Sequence, residues 1–147
     1  MLKVTSSEIQ QNGFLPEQYT CYGENINPPL KIENVPENTK SFLIIIQNLS
    51  TPNSEWINWV IWNIPPETTE IKANADIPLA TVGLNSFLEN NYSGPCPSNQ
   101  THEIQISVYA LKDVLFLNSE SSFQEIMIEI SQIVLSQGIL TCFARSS

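Results

Sequence analysis

Two stretches of this chain, SFLIIIQN (41–48) and INWVIWNI (57–64), are β-branched and aromatic-rich and apolar at nearly every position. Strands with one wet face alternate apolar and polar residues, whereas strands covered on both faces do not. These segments therefore read as central strands with something packed on each side. The eight residues between them, 49–56, include Pro52 and Asn53, which suits an antiparallel pair joined by a long loop. EIQISVYAL (103–111) alternates cleanly, with Ile104, Ile106, Val108 and Ala110 on one face. ILTCFA (139–144) reads as a last strand. From Phe123, the positions Ile126, Met127, Ile130 and Val134 follow helical spacing, with a capping-box pattern at Ser122 and Glu125 and Gly138 placed as a C-terminal cap. Prolines and turn residues punctuate the rest. The expected fold is mainly β, an antiparallel sandwich with one late amphipathic helix on the sheet.

The 147 residues suit a single domain, 1–147. Only 14% are charged and the net charge is −9 with six basic residues, so the polar surface is mostly uncharged. Nucleic acids and anionic membranes both demand Lys and Arg, which argues against either as a partner and against stable membrane association. No run approaches the about 20 apolar residues of a membrane span. MLKVTSSEIQ lacks a charged-then-apolar signal layout, so the expected location is cytoplasmic. Cys21, Cys96 and Cys142 are widely spaced and lack the pairing of a zinc site. The expectation is no metal, no cofactor and free buried thiols, with a Cys21–Cys96 bridge left open.

Polar residues sit at strand ends. Asn48 continues the face of Phe42, Ile44 and Ile46, Asn58 begins the face of Val60, Trp62 and Ile64, and His102 begins that of Ile104. An antiparallel 41–48/57–64 pair brings Asn48 and Asn58 to one sheet edge as neighbours, the way a shallow pocket with convergent polar groups is built.

The loop that delivers His102, GPCPSNQTH (94–102), resembles the Gly-Pro-x-Pro…His loop of phosphatidylethanolamine-binding proteins, in the bacterial and archaeal Raf-kinase-inhibitor-like subgroup. YTCYGENINPPLKIENVP (19–36) is similar to that subgroup's Tyr-Thr-Cys-x-Gly segment, NWVIWNIP (58–65) to its His-Trp-Val strand, and GLNSF and YSGPCP follow in order. The resemblance implies a large antiparallel sheet packed on a smaller one, and a pocket at the sheet edge for phosphate, acetate or a phospholipid headgroup. One wall of that pocket is the rigid loop with its histidine, here Gly94, Pro95, Pro97 and His102. The departures fall on the pocket. Asn48-Leu49-Ser50-Thr51-Pro52 replaces Asp-Pro-Asp-x-Pro, Asn58 replaces a histidine, Glu103 and Ile104 replace an Arg and an aromatic, and Tyr22 stands where Asp is common.

Asn48, Ser50 and Asn58 still donate and accept hydrogen bonds, while Glu103 is expected to add negative charge near the mouth. The functional reading is a binding protein with a weakened or altered site for a small anion or headgroup-like ligand, built from His102, Asn58, Asn48, Ser50, Gly94, Pro95 and Pro97. The alternative is a regulatory module, kinase- or protease-inhibitor-like, that binds a protein partner. Catalysis is not expected: a Ser50–His102 dyad lacks an orienting acid, and prolines fix Cys96 in a turn. Exposed edge strands and Trp56 leave the oligomeric state open.

Overall fold

The computed structural model describes residues 1–52 and 55–146. Among these, the strands in chain order are β1 (Lys3–Thr5), β2 (Gly13–Phe14), β3 (Leu30–Glu33), β4 (Ser41–Asn48), β5 (Trp56–Ile64), β6 (Glu70–Ile71), β7 (Thr81–Val82), β8 (Thr101–Leu111) and β9 (Val134–Arg145). Helix α1 spans Phe123–Ile130. The strands form a large sheet in the order β2-β9-β8-β4-β5-β7 and a small one in the order β1-β3-β6. All pairings are antiparallel except the short β2–β9 contact.

The two apolar runs lie where their composition requires. β4 sits between β8 and β5, and both of its faces are covered. Phe42, Ile44 and Ile46 pack with Trp59, Ile61 and Ile104 against the small sheet, whose Val4, Leu30, Ile32 and Ile71 join the same core. Leu43 and Ile45 pack with Val60 and Trp62 on the other side, under Ile126 and Ile130 of α1.

Two irregularities in the β4–β5 register alter the face pattern expected of β5. Between Phe42↔Ile64 and Ile44↔Ile61, β5 spends one extra residue, and between Ile46↔Trp59 and Gln47↔Ile57 it spends another, Asn58. Each bulge reverses the alternation beyond it. Ile64 thus joins the inter-sheet core, while Val60 and Trp62 belong to the helix side, so the three do not share a face. The first bulge contains Asn63 at φ 57. Left-handed backbone is steric strain for most residues and mild for Asn. Among the described residues, Asn12, Asn25, Asn34, Asn38, Asn74 and Asn99 also adopt it, whereas no glycine does. This Asn-rich chain uses Asn where others use Gly. Asn63 also clamps the segment before α1, accepting from the Leu115 N–H (2.7 Å) and donating to the Leu115 carbonyl (2.9 Å). Asn63→Gly preserves the backbone but loses both bonds, and is expected to cost about 1–2 kcal/mol in urea unfolding.

The helix is shorter than its spacing suggests. The capping box forms, with Glu125 N–H donating to Ser122 Oγ (3.1 Å) and Ser122 N–H to Glu125 Oε1 (2.8 Å). However, α1 ends at Ile130, Val134 opens β9, and Gly138 is no helix cap but a strand residue opposite Val108. Local helical periodicity at Val134 gives way to a ladder that pairs β9 with β8 from Arg145 to Val134.

Candidate functional site

Where β4 ends, the chain must turn, and Asn48 organises the turn. Its Oδ1 accepts the Ser50 N–H at 2.9 Å, the side-chain-to-backbone turn that Asn favours. That bond orients the amide, leaving Nδ2 toward Nδ1 of His102 at 2.9 Å. An amide NH2 can only donate, so Nδ1 is the acceptor and the network assigns the imidazole proton to Nε2. Nε2 is buried and has no hydrogen-bond partner. β8 alternation places His102 on the face of Ile104 and Ile106, as expected, and Glu103 on the opposite face. Glu103 therefore does not direct its charge to the side of His102, contrary to expectation.

Asn48 and His102 open onto a cavity of about 430 Å³. Its polar wall is completed by Thr51, and its apolar wall by Pro52, Trp56, Phe87, Pro95 and Cys96. Trp56 stands directly opposite Asn48 in the β4–β5 register, so the two share a face. Phe87 meets Trp56 edge-to-face at 5.0 Å. It is presented by a loop wound around buried Asn85, whose Oδ1 accepts the Phe87 and Glu89 N–H groups. Among the described lining residues, His102 is the one titratable group, and no carboxylate or ammonium adjoins it there.

Loop 93–97 is held by the segment 19–25. Gly94 N–H donates to Asn25 Oδ1 (2.6 Å), Cys21 N–H to the Pro95 carbonyl (3.1 Å) and Tyr22 Oη to the Pro97 carbonyl (2.5 Å). A Cβ on Gly94 would collide with the Tyr19 carbonyl oxygen. Tyr92 Oη donates to that carbonyl, and burial pushes its ionisation well up, so it stays a neutral donor. Cys21 and Cys96 form a disulfide with their Cα atoms 5.2 Å apart. The expectation of free thiols is thus corrected: only Cys142 remains free among the three. The reason is the close docking of the two loops, which a separation of 75 residues conceals.

The site residues expected from sequence divide in two. Asn48, His102 and Pro95 line the cavity. Ser50 is exposed and acts as a brace, its Oγ accepting the Glu103 N–H at 2.8 Å. Gly94 and Pro97 carry the loop's attachments. Asn58 is fully buried at the second bulge and bound to Ser93 rather than set beside Asn48: Nδ2 donates to the Ser93 carbonyl and Ser93 N–H returns to the Asn58 carbonyl, each at 2.9 Å. Its Oδ1 is buried without a partner. Trp56, Phe87, Thr51, Pro52 and Cys96 were not among the expected site residues. The hairpin register alone would have found Trp56. No group of three potential metal ligands occurs among the described residues.

The profile of the family described as "Phosphatidylethanolamine-binding protein" matches residues 5–144. The chain belongs to this family. The UPF0098 protein PH1269 of Pyrococcus horikoshii is 40% identical over 134 residues, covering 85% of this chain and 67% of that one. Among solved structures, the phosphatidylethanolamine-binding protein homolog CT736 of Chlamydia trachomatis superposes with a TM-score of 0.94 at 26% identity, covering 99% of this chain and 98% of its own. Escherichia coli YbcL, described as a member of the mammalian PEBP family, gives 0.92 at 26% identity over 99% of both chains. As a phosphatidylethanolamine-binding protein family member, the chain has the two-sheet architecture that its motifs implied.

Proposed function

We propose that this chain is a small-ligand binding protein whose cavity takes a polar or anionic group through His102. The Asn48–His102 pair carries the reading, because it leaves Nε2–H as a buried donor without a partner on a residue that lines the cavity. A phosphate, phosphomonoester or carboxylate oxygen satisfies that donor, and the body of the ligand lies against Trp56 and Phe87. Without a fixed cation, affinity for free phosphate is low. Phosphoethanolamine, a headgroup-like ligand, gains from the aromatic wall, since an ammonium is attracted to aromatic faces. Catalysis plays no part in this proposal: Ser50 Oγ is engaged by Glu103 and His102 Nδ1 by Asn48, so the dyad is not assembled, and Cys96 is held in its disulfide.

The test is an amide NMR titration with phosphate, phosphoethanolamine and acetate, in wild type and His102→Ala. Saturable shifts at residues 48–56 and 94–102 that vanish in a folded His102→Ala variant are expected. Flat titrations at millimolar ligand would sink the proposal.

A second reading, a regulatory module that engages a protein, kinase- or protease-inhibitor-like, draws support from the cavity rim. Phe87, which meets Trp56 there, is 44% exposed, and the next residue, Leu88, is 78% exposed. As for location, no helix among the described residues is long and apolar enough to cross a membrane. A cytoplasmic placement is compatible with the Cys21–Cys96 disulfide only where thiols are not kept reduced.

A further inference from the structure

The residues around the cavity are not all held in the same way. His102 is fixed by the pairing of β8 with β9 and by Asn48, and Trp56 by its place in β5 opposite Asn48. Pro95 and Cys96 belong to no strand. They line the cavity because loop 93–97 is clasped to segment 19–25. Three hydrogen bonds make the clasp, at Gly94, Pro95 and Pro97, and one covalent bond, Cys21–Cys96, crosses it. The disulfide is thus part of the binding wall, and cutting it releases that wall while the donor on β8 stays in place.

Three observations set this disulfide apart from a buried staple. Cys96 is exposed and Cys21 half-buried, so a dissolved thiolate has access to the Cys96 side of the bond. Neither Cys21 nor Cys96 belongs to a hydrophobic core, and the three hydrogen bonds and the packing of Gly94 remain to hold the loops once the bond is cut. Cys142 is fully buried, and burial pushes its thiol up and out of reaction, so no third sulfur competes when the bond re-forms. The docked loops keep the Cα atoms of Cys21 and Cys96 5.2 Å apart, within the span that a disulfide closes.

We infer that the Cys21–Cys96 disulfide is a redox control on ligand binding: oxidised, it holds the Pro95–Cys96 wall for the ligand, and reduced by a dithiol, the chain stays folded and binds more weakly. This control rests on the ligand reading of the same cavity. In the reductive step, one thiolate of the dithiol attacks Cys96 Sγ, the Cys21–Cys96 bond breaks, and Cys21 leaves as a thiolate that takes up a proton. The second thiolate of the dithiol then closes on its own first sulfur and displaces Cys96, which is protonated in turn. Two electrons pass, so the protein gains two thiols and the dithiol becomes an internal disulfide. A monothiol stops at the mixed disulfide, because Cys21 stays docked beside Cys96 and expels it. The direction of the effect follows from preorganisation. A tethered wall is ordered before the ligand arrives, whereas a released wall must be ordered by it. Ordering one such side chain corresponds to a roughly 3- to 10-fold loss of affinity.

Phosphoethanolamine titrations of the full chain, followed by amide NMR before reduction with dithiothreitol, after it, and again after reoxidation, test this control. The oxidised protein is expected to bind. The reduced protein is expected to keep its native amide dispersion and bind at least about 3-fold more weakly, and reoxidation to restore the first affinity. Cys21→Ala separates the tether from the lining, because Cys21 does not line the cavity. This variant is expected to bind as the reduced chain does and to ignore dithiothreitol. Should it fail to fold, the reduced wild type decides alone. Equal or tighter binding by the reduced chain would overturn the redox control and leave the ligand reading standing. Flat titrations in both states would overturn the two together. A reduced wild type that unfolds would overturn the control as well, by making the bond a staple of the fold.

Discussion

Replacing Cys21 and Cys96 together by alanine is expected to lower the free energy of unfolding by about 4 kcal/mol, the largest effect of any change near the cavity. The bond closes a loop of 75 residues, and tying the ends of so long a segment removes much of the freedom of the unfolded chain. The folded side changes less, because loops 19–25 and 93–97 remain joined by the Gly94–Asn25, Cys21–Pro95 and Tyr22–Pro97 hydrogen bonds. The variant should therefore keep its native spectrum while its urea midpoint falls. Thiol counting gives an independent check on the same bond. Burial pushes the Cys142 thiol up to about 12, so it stays protonated and unreactive in the native protein. No thiol should label in the fold, one after unfolding without reductant, and three after reduction. Three labelled thiols without reductant, or an unchanged urea midpoint, would contradict the disulfide's role.

Gly94→Ala is expected to cost about 1–3 kcal/mol, the range for forcing a methyl into a packed site. Gly94 does not adopt positive φ, so the requirement for glycine here is purely spatial. The added Cβ would meet the Tyr19 carbonyl oxygen, with Asn25 Oδ1 and the Thr20 Cα each at 2.9 Å. These are backbone and a committed side chain, and they cannot swing away. The loop must retreat, taking Pro95 and Cys96 with it and widening the cavity beside His102. Stability and ligand shifts should fall together in this variant, whereas His102→Ala should lose only the ligand response. A Gly94→Ala protein with wild-type stability and unchanged amide shifts at 19–25 would show that the loops are not packed as described.

The layout of the fold was legible because burial on two faces leaves an unmistakable composition, as in Phe42–Ile46 and Ile57–Trp62. What escaped was geometry that a single inserted residue controls. Strict alternation assigns Asn58 to the face of Val60, but the bulge at Asn58 breaks alternation, and its side chain is drawn to Ser93. Val134 follows helical spacing, yet pairing of β9 with β8 claims it. The same period of two did place His102 correctly and, applied one residue further, would have put Glu103 on the far face. Cavity residues from distant segments, Phe87 and Cys96, depend on loop docking that spacing does not encode.

The chain has one histidine, so its imidazole gives a single, unambiguous set of nitrogen signals. A long-range proton–nitrogen correlation spectrum of the folded protein, with and without phosphoethanolamine, tests the site directly. The account predicts a neutral ring carrying its proton on Nε2, with the Nε2 signal moving on ligand addition and the Nδ1 signal held by Asn48. A proton on Nδ1, or an Nε2 signal indifferent to ligand, would contradict it.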